Sequence, residues 1–553
     1  MNIPGNRKRH LRWKMISGSF SLILALICSP SETFADDIGN VGIEAPGCAL
    51  GVNEDGEPVF RDAFGFADLE HGVPIETDSI MEAGSISKQF TAAAAILLML
   101  DGKLSLSEDI RKYLPELPQY ETPIQIQHLI NHTNGLRDWG HIVDIEGWPR
   151  GTRVYYQQDI LSILRRQRSL NYKPGDIYNY GNSGFNLLTM IVAKVSGMPF
   201  PEFTQTRLFE PLGMTNTSWR DDFTRVVPKR ANAYRPSGDE YVLNMPFENT
   251  YGHGGLLTTV DDLLIWNHNL QTGEIGGQAF IDEMHRPGEL NDGTEISYAS
   301  GLRVGSYRGL ERVSHGGVTA GYRSSAAHYP EKKIAVAVLC NDGTDQAYRL
   351  VQEAVDPFLG VLAESEDNTS IEAFPTSIDQ FAGAYKNVTR GDAIRLIAES
   401  GHLIMVNGPV LQRQPDGHFT AGPQNYHFDN WSSGAEFEQT SFLHARFSYV
   451  KMPDFVPSIE QLAEYAGTYT SEDSEAILTL SICDGVLSLS RGLDRRSRLT
   501  PVYQDAFIDS PPPEGQGRNP TTILFRRNET GRVEEMDLIT ERVWQLTYTK
   551  SID

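Results

Sequence analysis

Cysteine is scarce in this chain. Its 553 residues include four cysteines, one of them near the N-terminus. The others, Cys48, Cys340 and Cys483, are too few for a disulfide framework. Residues 48–53 and 332–340 are predicted to be the first and last strands of one antiparallel sheet, which would place Cys48 beside Cys340. A disulfide between them is one alternative, but the prediction favours two unpaired buried thiols.

Positive charge and long apolar runs are also in short supply. The 48 Lys and Arg residues stand against 72 Asp and Glu residues, for a formal net charge of −24. A surface this acidic repels nucleic acid and anionic lipid. After residue 35 no apolar stretch reaches the ~18 residues that a membrane span needs. We therefore expect no nucleic-acid partner and no membrane anchor.

The first 35 residues are typical of a secretory signal. Basic residues between Arg7 and Lys14 precede an apolar stretch, 20–28, which is followed by a short segment that ends at Ala35. This order predicts a signal peptide cleaved after Ala35. The mature protein is accordingly expected to be periplasmic or secreted.

A metal-binding pattern is missing as well. His128 and His132 are four residues apart, but Leu129 stands where a zinc peptidase carries its catalytic Glu. The remaining histidines show no ligand spacing. We expect no metal and no cofactor.

The chain does carry a nucleophile next to a base. Ser85 and Lys88 open the apolar helical run 89–100. A spacing of three puts both side chains on one face of a helix, and a helix N-terminus favours negative charge that develops nearby. Ser85 is therefore a candidate nucleophile and Lys88 its candidate base. Taken alone, the pattern also fits a Ser N-cap followed by a surface Lys.

A second candidate element is Tyr180-Gly181-Asn182. It lies in a polar, turn-rich stretch, 173–184, before the apolar run 185–192, which predicts a loop that leads into a helix. The alternation places a phenol and a carboxamide on the same side of the loop. Tyr180 can then relay a proton while Asn182 orients the substrate and Lys88. The alternative is a turn with a packed Tyr.

The third element, His315-Gly316-Gly317, is predicted to begin a strand at a sheet edge. Two glycines let backbone N–H donors approach a substrate closely, as an oxyanion hole requires. The proposed donors are the amides of Ser85 and Val318, and Gly316 and Gly317 are expected to contact the substrate.

A second copy of the pattern, His253-Gly254-Gly255, competes with the third element. It leads into residues 256–266, which predict a Thr-capped amphipathic helix and not a strand. His315 is therefore preferred, and His253 is predicted to lie in a structural turn beside the cleft.

In the order S-x-x-K, Y-x-N, H-x-G, residues 46–360 resemble the serine hydrolases of the penicillin-binding-protein and β-lactamase-like superfamily. The stretch His132-Thr133-Asn134-Gly135-Leu136 is similar to a further turn of these proteins. The resemblance implies an α+β catalytic domain of the β-lactamase/transpeptidase type, with an antiparallel sheet flanked by helices and a helical subdomain.

One departure concerns the third motif. His315 stands where β-lactamases and many penicillin-binding proteins carry Lys, and His is mostly neutral at pH 7. This weakens the β-lactamase and carboxypeptidase interpretations. H-x-G is the variant seen in D-aminopeptidase-like and some esterase-like members.

The C-terminal part contains an internal repeat. Residues 381–385 recur at 465–469, and an alternating strand–turn–strand pattern follows each copy. Two such repeats predict two small antiparallel β-barrels. The predicted domains are a signal peptide at 1–35, a catalytic domain at 36–365, a first barrel at 366–455 and a second at 456–553.

This architecture resembles that of the D-stereospecific aminopeptidases, in which a loop of the last barrel reaches the active-site cleft. The matching stretch here is 507–515. The resemblance implies that Asp509 meets the free amine of a substrate, an interaction that suits a carboxylate in a partly dry cleft. The alternative is an ordinary exposed hairpin.

The predicted reaction is acyl transfer through a covalent intermediate on Ser85, with a small peptide, amide or ester as substrate. Either Lys88 or Tyr180 is the acylation base, and Lys88 must lose its charge to serve. The favoured activity is that of a peptidase of the D-aminopeptidase type or one that acts on peptidoglycan fragments. Open alternatives are an esterase or β-lactamase with the same residues and a non-catalytic sensor. A homodimer through the barrels also stays open.

Overall fold

The computed structural model describes residues 45–344, 346–360, 377–414, 416–422, 424–428, 437–441, 446–492, 495–509 and 520–551. The predicted signal peptide, 1–35, lies outside these residues. Among the helices within them, none has the length and apolar character to cross a lipid bilayer.

The predicted catalytic domain is built on a six-stranded antiparallel sheet. Its strands are β1 Cys48–Glu54, β2 Glu57–Phe64, β3 Arg303–Tyr307, β4 Leu310–Thr319, β5 Tyr322–Tyr329 and β6 Ile334–Cys340. Their order in the sheet is β3-β4-β5-β6-β1-β2. Strand β6 is buried along its whole length. Alternate β6 residues belong to two different cores, which is why the strand is a continuous apolar run.

Helices cover both faces of the sheet and form a separate subdomain. They are α1 Ser87–Leu100, α2 Ile126–Ile130, α3 Trp139–Ile145, α4 Gln157–Leu164, α5 Ser183–Ser196, α6 Phe200–Thr204, α7 Glu210–Leu212, α8 Val260–Thr272, α9 Gly277–His285 and α10 Gln346–Leu359. A further helix, α11 Ile459–Tyr465, belongs to the second C-terminal repeat and packs on its barrel. A π-helical turn, Gln205–Phe209, joins α6 to α7, and the 3₁₀ turns are Gly84–Ile86, Ile110–Lys112, Pro330–Lys332 and Ile378–Phe381. Helix α8 packs on one face of β6 and α10 on the other.

Helix α1 is apolar on nearly every side, and its residues from Ser87 to Leu98 are buried. Such a helix belongs in a core and not at a surface. It packs against α5 and α9. The alternative of a Ser N-cap followed by a surface Lys is therefore wrong, because Lys88 lies inside this core.

Three short strands form a sheet beside the start of α1. They are Met81–Glu82, Leu256–Thr258 and Ser218–Trp219, with Leu256–Thr258 in the middle. The prediction of a helix directly after Gly255 is thus wrong for Leu256–Thr258, because strands pair with this segment on both sides. The helix begins at Val260, with Thr259 as its N-cap. The remaining short strand pairs are Phe66–Asp68 with Val73–Pro74, Tyr234–Ser237 with Glu240–Leu243, and Gly288–Glu289 with Glu295–Ile296.

The two cysteines of the sheet form a disulfide. Cys48 and Cys340 are direct partners in the register of β1 and β6, and their sulfur atoms are bonded. The predicted neighbourhood is correct, and the preference for two free thiols is wrong. The register explains why, since it points both side chains into the same fully buried core. Cys483 is a half-buried free thiol.

Each C-terminal repeat folds into a closed eight-stranded antiparallel barrel, as predicted. The first barrel consists of Gly383–Asn387, Ala393–Glu399, His402–Met405, Val410–Arg413, Phe419–Ala421, Gln424–His427, Phe437–Ser441 and Arg446–Met452. The second consists of Gly467–Thr470, Leu478–Cys483, Val486–Arg491, Arg495–Tyr503, Ala506–Asp509, Thr522–Arg527, Val533–Ile539 and Leu546–Lys550.

The repeated five-residue motif has the same contact in both barrels. Tyr385 donates its hydroxyl proton to the Phe381 carbonyl at 3.0 Å. In the second copy, Tyr469 donates to the Tyr465 carbonyl at 2.8 Å. In each barrel this hydrogen bond thus ties the segment just before the first strand to the strand itself.

Candidate active site

Ser85 lies in the 3₁₀ turn that precedes α1, pressed against strand β4. Gly84 has a φ of 50°, and a Cβ built on it would stand 2.7 Å from the Val318 nitrogen. A Cβ on Gly317 would collide with the Ala83 carbonyl oxygen. Only glycine at both positions lets the two backbones approach this closely.

Strand β4 exposes part of its edge at this point. Strand β3 pairs with β4 from Leu310 to Ser314, while residues 315–319 continue beyond the end of β3. The predicted edge strand is therefore covered in its first half and lies open beside Ser85 in its second half. This arrangement brings the Val318 amide next to the Ser85 turn, where the sequence predicted an oxyanion hole.

Lys88 is fully buried and contacts three oxygen atoms. Its Nζ lies 3.2 Å from Ser85 Oγ, 3.0 Å from Asn182 Oδ1 and 2.7 Å from the His253 carbonyl oxygen. Burial, followed by the positive charge of Arg542, lowers the Lys88 pKa well below its ordinary value. The amine is thereby pushed toward the neutral form that a base requires.

Tyr180 completes the contact with Ser85. Its phenol hydrogen-bonds the Ser85 hydroxyl, and burial raises its pKa to about 12. The Lys88 Nζ lies 4.8 Å from the centroid of the Tyr180 ring. A neutral phenol therefore lies beside both Ser85 and Lys88, which also contact each other directly.

Two residues of the helical subdomain hold the loop that carries Tyr180. Asp138 accepts the Asn182 N–H at 2.5 Å. His132, with a φ of 61°, accepts the Gly181 N–H on Nδ1 at 3.3 Å and the Asn179 N–H on its carbonyl at 3.0 Å. The resemblance had singled out the His132 stretch without a role, whereas Asp138 went unnoticed because nothing in the sequence links it to residue 182.

His315 lies on β4, but in the middle of the strand and not at its start as predicted, and it is buried. Its Nδ1 lies 2.6 Å from the Gly316 carbonyl oxygen, which can only accept, so Nδ1 carries the proton. Nε2 then accepts the Tyr298 hydroxyl proton at 3.0 Å. Burial, together with the charge of Arg303, holds the His315 pKa well below its ordinary value, and the ring is neutral at pH 7.

The competing copy, His253, also belongs to the site, through its backbone. Its carbonyl is a Lys88 partner, and its Nδ1 accepts from Asn186 at 2.9 Å. Both His253 and Gly254 line the cavity that contains Ser85. The predicted turn beside the cleft is correct, and its contact with Lys88 was not foreseen.

The cavity at Ser85 measures about 470 Å³ and is closed by residues of all three domains. From the first barrel come Arg390, Gln424, Gln439 and Phe447, and from the second come Glu541 and Arg542. A neighbouring cavity of about 410 Å³ shares the wall formed by Arg150, Asn182, Val318, Thr319, Glu541 and Arg542. Together the two cavities provide room for a short peptide.

Asp509 does not stand in this cleft, which corrects the predicted placement. Its Oδ2 lies 2.7 Å from Arg491 Nη2, and its Oδ1 accepts the Thr521 N–H at 2.7 Å. The carboxylate is buried and satisfied inside the second barrel. The rest of the predicted loop, 510–515, lies outside the described residues. Sequence reasoning missed Glu541 and Arg542, whose only signal is a charged pair in a short turn.

Among the described residues, one group of three potential metal ligands lies close enough to share an ion. It consists of Asp68, Glu70 and His71. Asp68 already accepts the Glu70 and His71 amides, so the group is a tight polar turn, and none of its three residues lines the cavity at Ser85.

Comparisons with known proteins reveal similarity in sequence and in fold. A D-aminopeptidase of Gluconobacter oxydans (strain 621H) is 27% identical over 450 residues, which span 80% of this chain and 83% of that protein. Penicillin-binding protein 4* of Bacillus subtilis (strain 168) is 30% identical over 316 residues, 53% of this chain and 68% of that protein. The structure of an octameric penicillin-binding protein homologue from Pyrococcus abyssi matches with a TM-score of 0.52 at 19% identity, over 94% of this chain and 98% of that one.

The structural match extends through both barrels, and at this level of identity it concerns the fold. The family model described as beta-lactamase matches residues 36–356, more than half of the chain. The chain belongs to the beta-lactamase family.

Proposed function

We propose that this protein is a serine hydrolase that cleaves short peptides or amides with a free amino group, through an acyl-enzyme on Ser85. Family membership supports a hydrolase. The D-aminopeptidase relatives, which match 80% and 84% of this chain, favour a peptidase over other hydrolases. The observation that carries the mechanism is the set of three oxygen atoms around Lys88 Nζ.

That set fits a neutral amine. Two of the oxygens, Asn182 Oδ1 and the His253 carbonyl, can only accept hydrogen bonds. The third, Ser85 Oγ, can both donate and accept. A neutral amine gives its two N–H groups to the carbonyl oxygens, and its lone pair then accepts the Ser85 O–H. The lowered Lys88 pKa agrees with this arrangement, which favours Lys88 over Tyr180 as the acylation base.

In acylation, Ser85 Oγ bonds to the substrate carbonyl carbon and its proton passes to Lys88 Nζ. The oxyanion that develops would be stabilised by the Ser85 and Val318 amides. The carbon–nitrogen bond then breaks, and the proton moves from Lys88 through the Tyr180 hydroxyl to the leaving nitrogen. A pKa of about 12 keeps Tyr180 protonated for this relay.

In deacylation, water attacks the acyl carbon and gives a proton to Lys88. The carbon–Oγ bond breaks, Oγ recovers the proton, and the acid product leaves. Asn182 would hold Lys88 through Oδ1, which leaves its amide N–H groups for the substrate carbonyl. Nothing in this cycle requires a metal.

The test compares D-alanine 4-nitroanilide with its N-acetyl derivative. We expect hydrolysis of the free-amine compound alone, and loss of that activity in Ser85→Ala but not in Ser107→Ala, which alters an exposed serine. Cleavage of both compounds equally would contradict the aminopeptidase assignment. Cleavage of neither, with turnover of esters or β-lactams, would favour the esterase or β-lactamase alternative. A wild type inert to all three classes would favour the sensor.

We also propose that the mature protein works outside the cytoplasm. The Cys48–Cys340 disulfide supports this, because such bonds persist in oxidising compartments. N-terminal sequencing of the protein from its native host should begin at Asp36. An N-terminus at Met1 in the cytosolic fraction would contradict the proposal.

A further inference from the structure

Arg542 belongs to the second barrel but lines the cavity that contains Ser85. It lies in the loop 540–545 between the last two strands. Its carbonyl oxygen accepts the Asp138 N–H and the Asn171 side-chain amide, each at 3.1 Å. Because two residues of the catalytic domain hold this backbone, the side chain has a defined place in the cleft.

The contacts of the Arg542 side chain leave one edge of its guanidinium group for a ligand. Its Nε lies 3.2 Å from Glu541 Oε1, and its central carbon lies 5.3 Å from the centroid of the Tyr180 ring. The contact with Glu541 occupies Nε, and the contact with Tyr180 occupies one face of the guanidinium group. Within the part of the chain that the structure describes, the two Nη atoms remain as a fork whose geometry matches a carboxylate.

Other cations at this wall are less suited to bind an anion. Arg150 is held in a bidentate pair by Glu248, and Arg390 by Asp392. His315 is neutral at pH 7 because of its lowered pKa. The third motif itself thus carries no permanent charge. Arg303, which also lines the cavity, acts on His315, whereas Arg542 brings a charge from the opposite domain to the Tyr180 ring.

The position over Tyr180 identifies the part of the substrate concerned. In the proposed function, on which this step rests, Tyr180 delivers the proton to the leaving nitrogen. The leaving group therefore passes beside the ring that Arg542 covers. In an amino-acid leaving group, the α-carboxylate is separated from that nitrogen by two bonds.

We propose that Arg542 binds a carboxylate on the leaving group, so that the preferred substrates are dipeptide-like and release a free amino acid. The second barrel then determines specificity on the leaving-group side of the reaction. Amides whose leaving group is uncharged forgo this contact.

The experiment uses two pairs of substrates that differ by one carboxylate on the leaving group. The ester pair is 4-nitrophenyl acetate and 3-carboxy-4-nitrophenyl acetate, which transfer the same acetyl group. The amide pair is D-alanine 4-nitroanilide and its 3-carboxy derivative. The measured quantity is the ratio of kcat/KM for the carboxylated over the uncharged member of each pair, corrected for their spontaneous hydrolysis.

In the wild type we expect a ratio of ~10 or more, as one charge-assisted hydrogen-bonded pair allows. Arg542→Gln should bring the ratio close to one, mainly through KM. Arg532→Gln is the matched control, since it removes an exposed arginine of the same barrel, and it should retain the wild-type ratio.

Three results would overturn the inference. They are a wild-type ratio near one, a wild-type ratio that survives in Arg542→Gln, and a ratio that falls in Arg303→Gln instead. If the ester pair behaves as expected while neither anilide is cleaved, the peptidase proposal fails and the role of Arg542 stands. An equal slowing of both members by Arg542→Gln leaves the ratio unchanged and is thus the second of these results, with Arg542 acting on Lys88 and not on the leaving group.

Discussion

At the scale of single residues, the site depends on one buried amine. Lys88 has no carboxylate among its hydrogen-bond partners; within the described residues these are two carbonyl oxygens and a hydroxyl. Burial therefore destabilises the ammonium form of Lys88, which has no hydrogen-bonded counter-ion. The largest charge effect, from Arg542, lowers the Lys88 pKa further. A lysine in this environment is suited to be a base near neutral pH.

This environment makes a prediction about pH. Acylation should rise with pH as Lys88 loses its proton, and it should reach a plateau well below pH 10.5, the ordinary lysine pKa. It should not decline at moderately alkaline pH, because the Tyr180 pKa is about 12. The measurement is the rate at which a neutral alkyl fluorophosphonate labels Ser85, since the reagent has no titrating group.

Labelling of Ser85→Ala should be undetectable at every pH, which assigns the signal. A rate that keeps rising up to pH 10 and above would show that Lys88 titrates normally. A rate that falls between pH 7 and pH 9 would instead contradict a neutral Tyr180 in the reaction.

The sequence identified residues that are near each other along the chain more readily than residues that meet in space. Ser85 and Lys88 share a helical turn, and Tyr180 and Asn182 share a loop, so local spacing is informative. The His253 carbonyl and Asp138 contact the same groups from positions 165 and 44 residues away. Backbone carbonyls carry no residue signature, which is why the first of these contacts could not be foreseen.

At the scale of elements, patterns of hydrophobicity predicted the helices and barrels well and short strands poorly. Helix α1 has fourteen residues with an unbroken apolar core. Leu256–Thr258 has three, too few for a periodicity, and only its two strand partners make it a strand. The charge environment of Asp509 likewise depends on Arg491, a neighbour across the barrel that no local pattern reveals.

The pairing of β1 with β6 leads to a prediction about the disulfide. Cys48 and Cys340 join the first and last strands across a sequence separation of 292 residues. Replacing both by Ala should lower the free energy of unfolding by roughly 2–4 kcal/mol. The measurement is urea unfolding followed by tryptophan fluorescence, with the Cys483→Ala variant as control.

The disulfide is buried in the core between the sheet and α10, and strand β5 separates Cys340 from Val318 in the register. Because it does not contact Ser85 or Lys88, kcat/KM at low temperature should change little in the double variant. An unfolding midpoint equal to that of the wild type would show that the disulfide does not stabilise the sheet. A loss of activity without loss of stability would point to an unexpected link between the sheet end and Ser85.

At the scale of the whole molecule, the second barrel is fastened to the catalytic domain by a buried charge. Arg137 is 1% exposed. It donates to Asp473 Oδ2 at 2.9 Å and to the Gln545 carbonyl at 3.2 Å, both in the second barrel. The neighbouring residue, Asp138, bonds the Arg542 backbone. The same short segment thus anchors the barrel and positions the loop that reaches the cleft.

We therefore expect Asp473→Asn to weaken both the barrel contact and the reaction. Loss of the carboxylate leaves a buried guanidinium without its counter-ion, which costs roughly 3 kcal/mol. The variant should unfold at lower urea, be cut faster by protease between the domains, and lose kcat/KM because the loop at Arg542 is released. Asp484→Asn, at an exposed turn of the same barrel, should match the wild type in all three. If Asp473→Asn lost stability but kept full kcat/KM, the barrel would have to hold its loop in the cleft by its other contacts, such as that between Asn171 and Trp544.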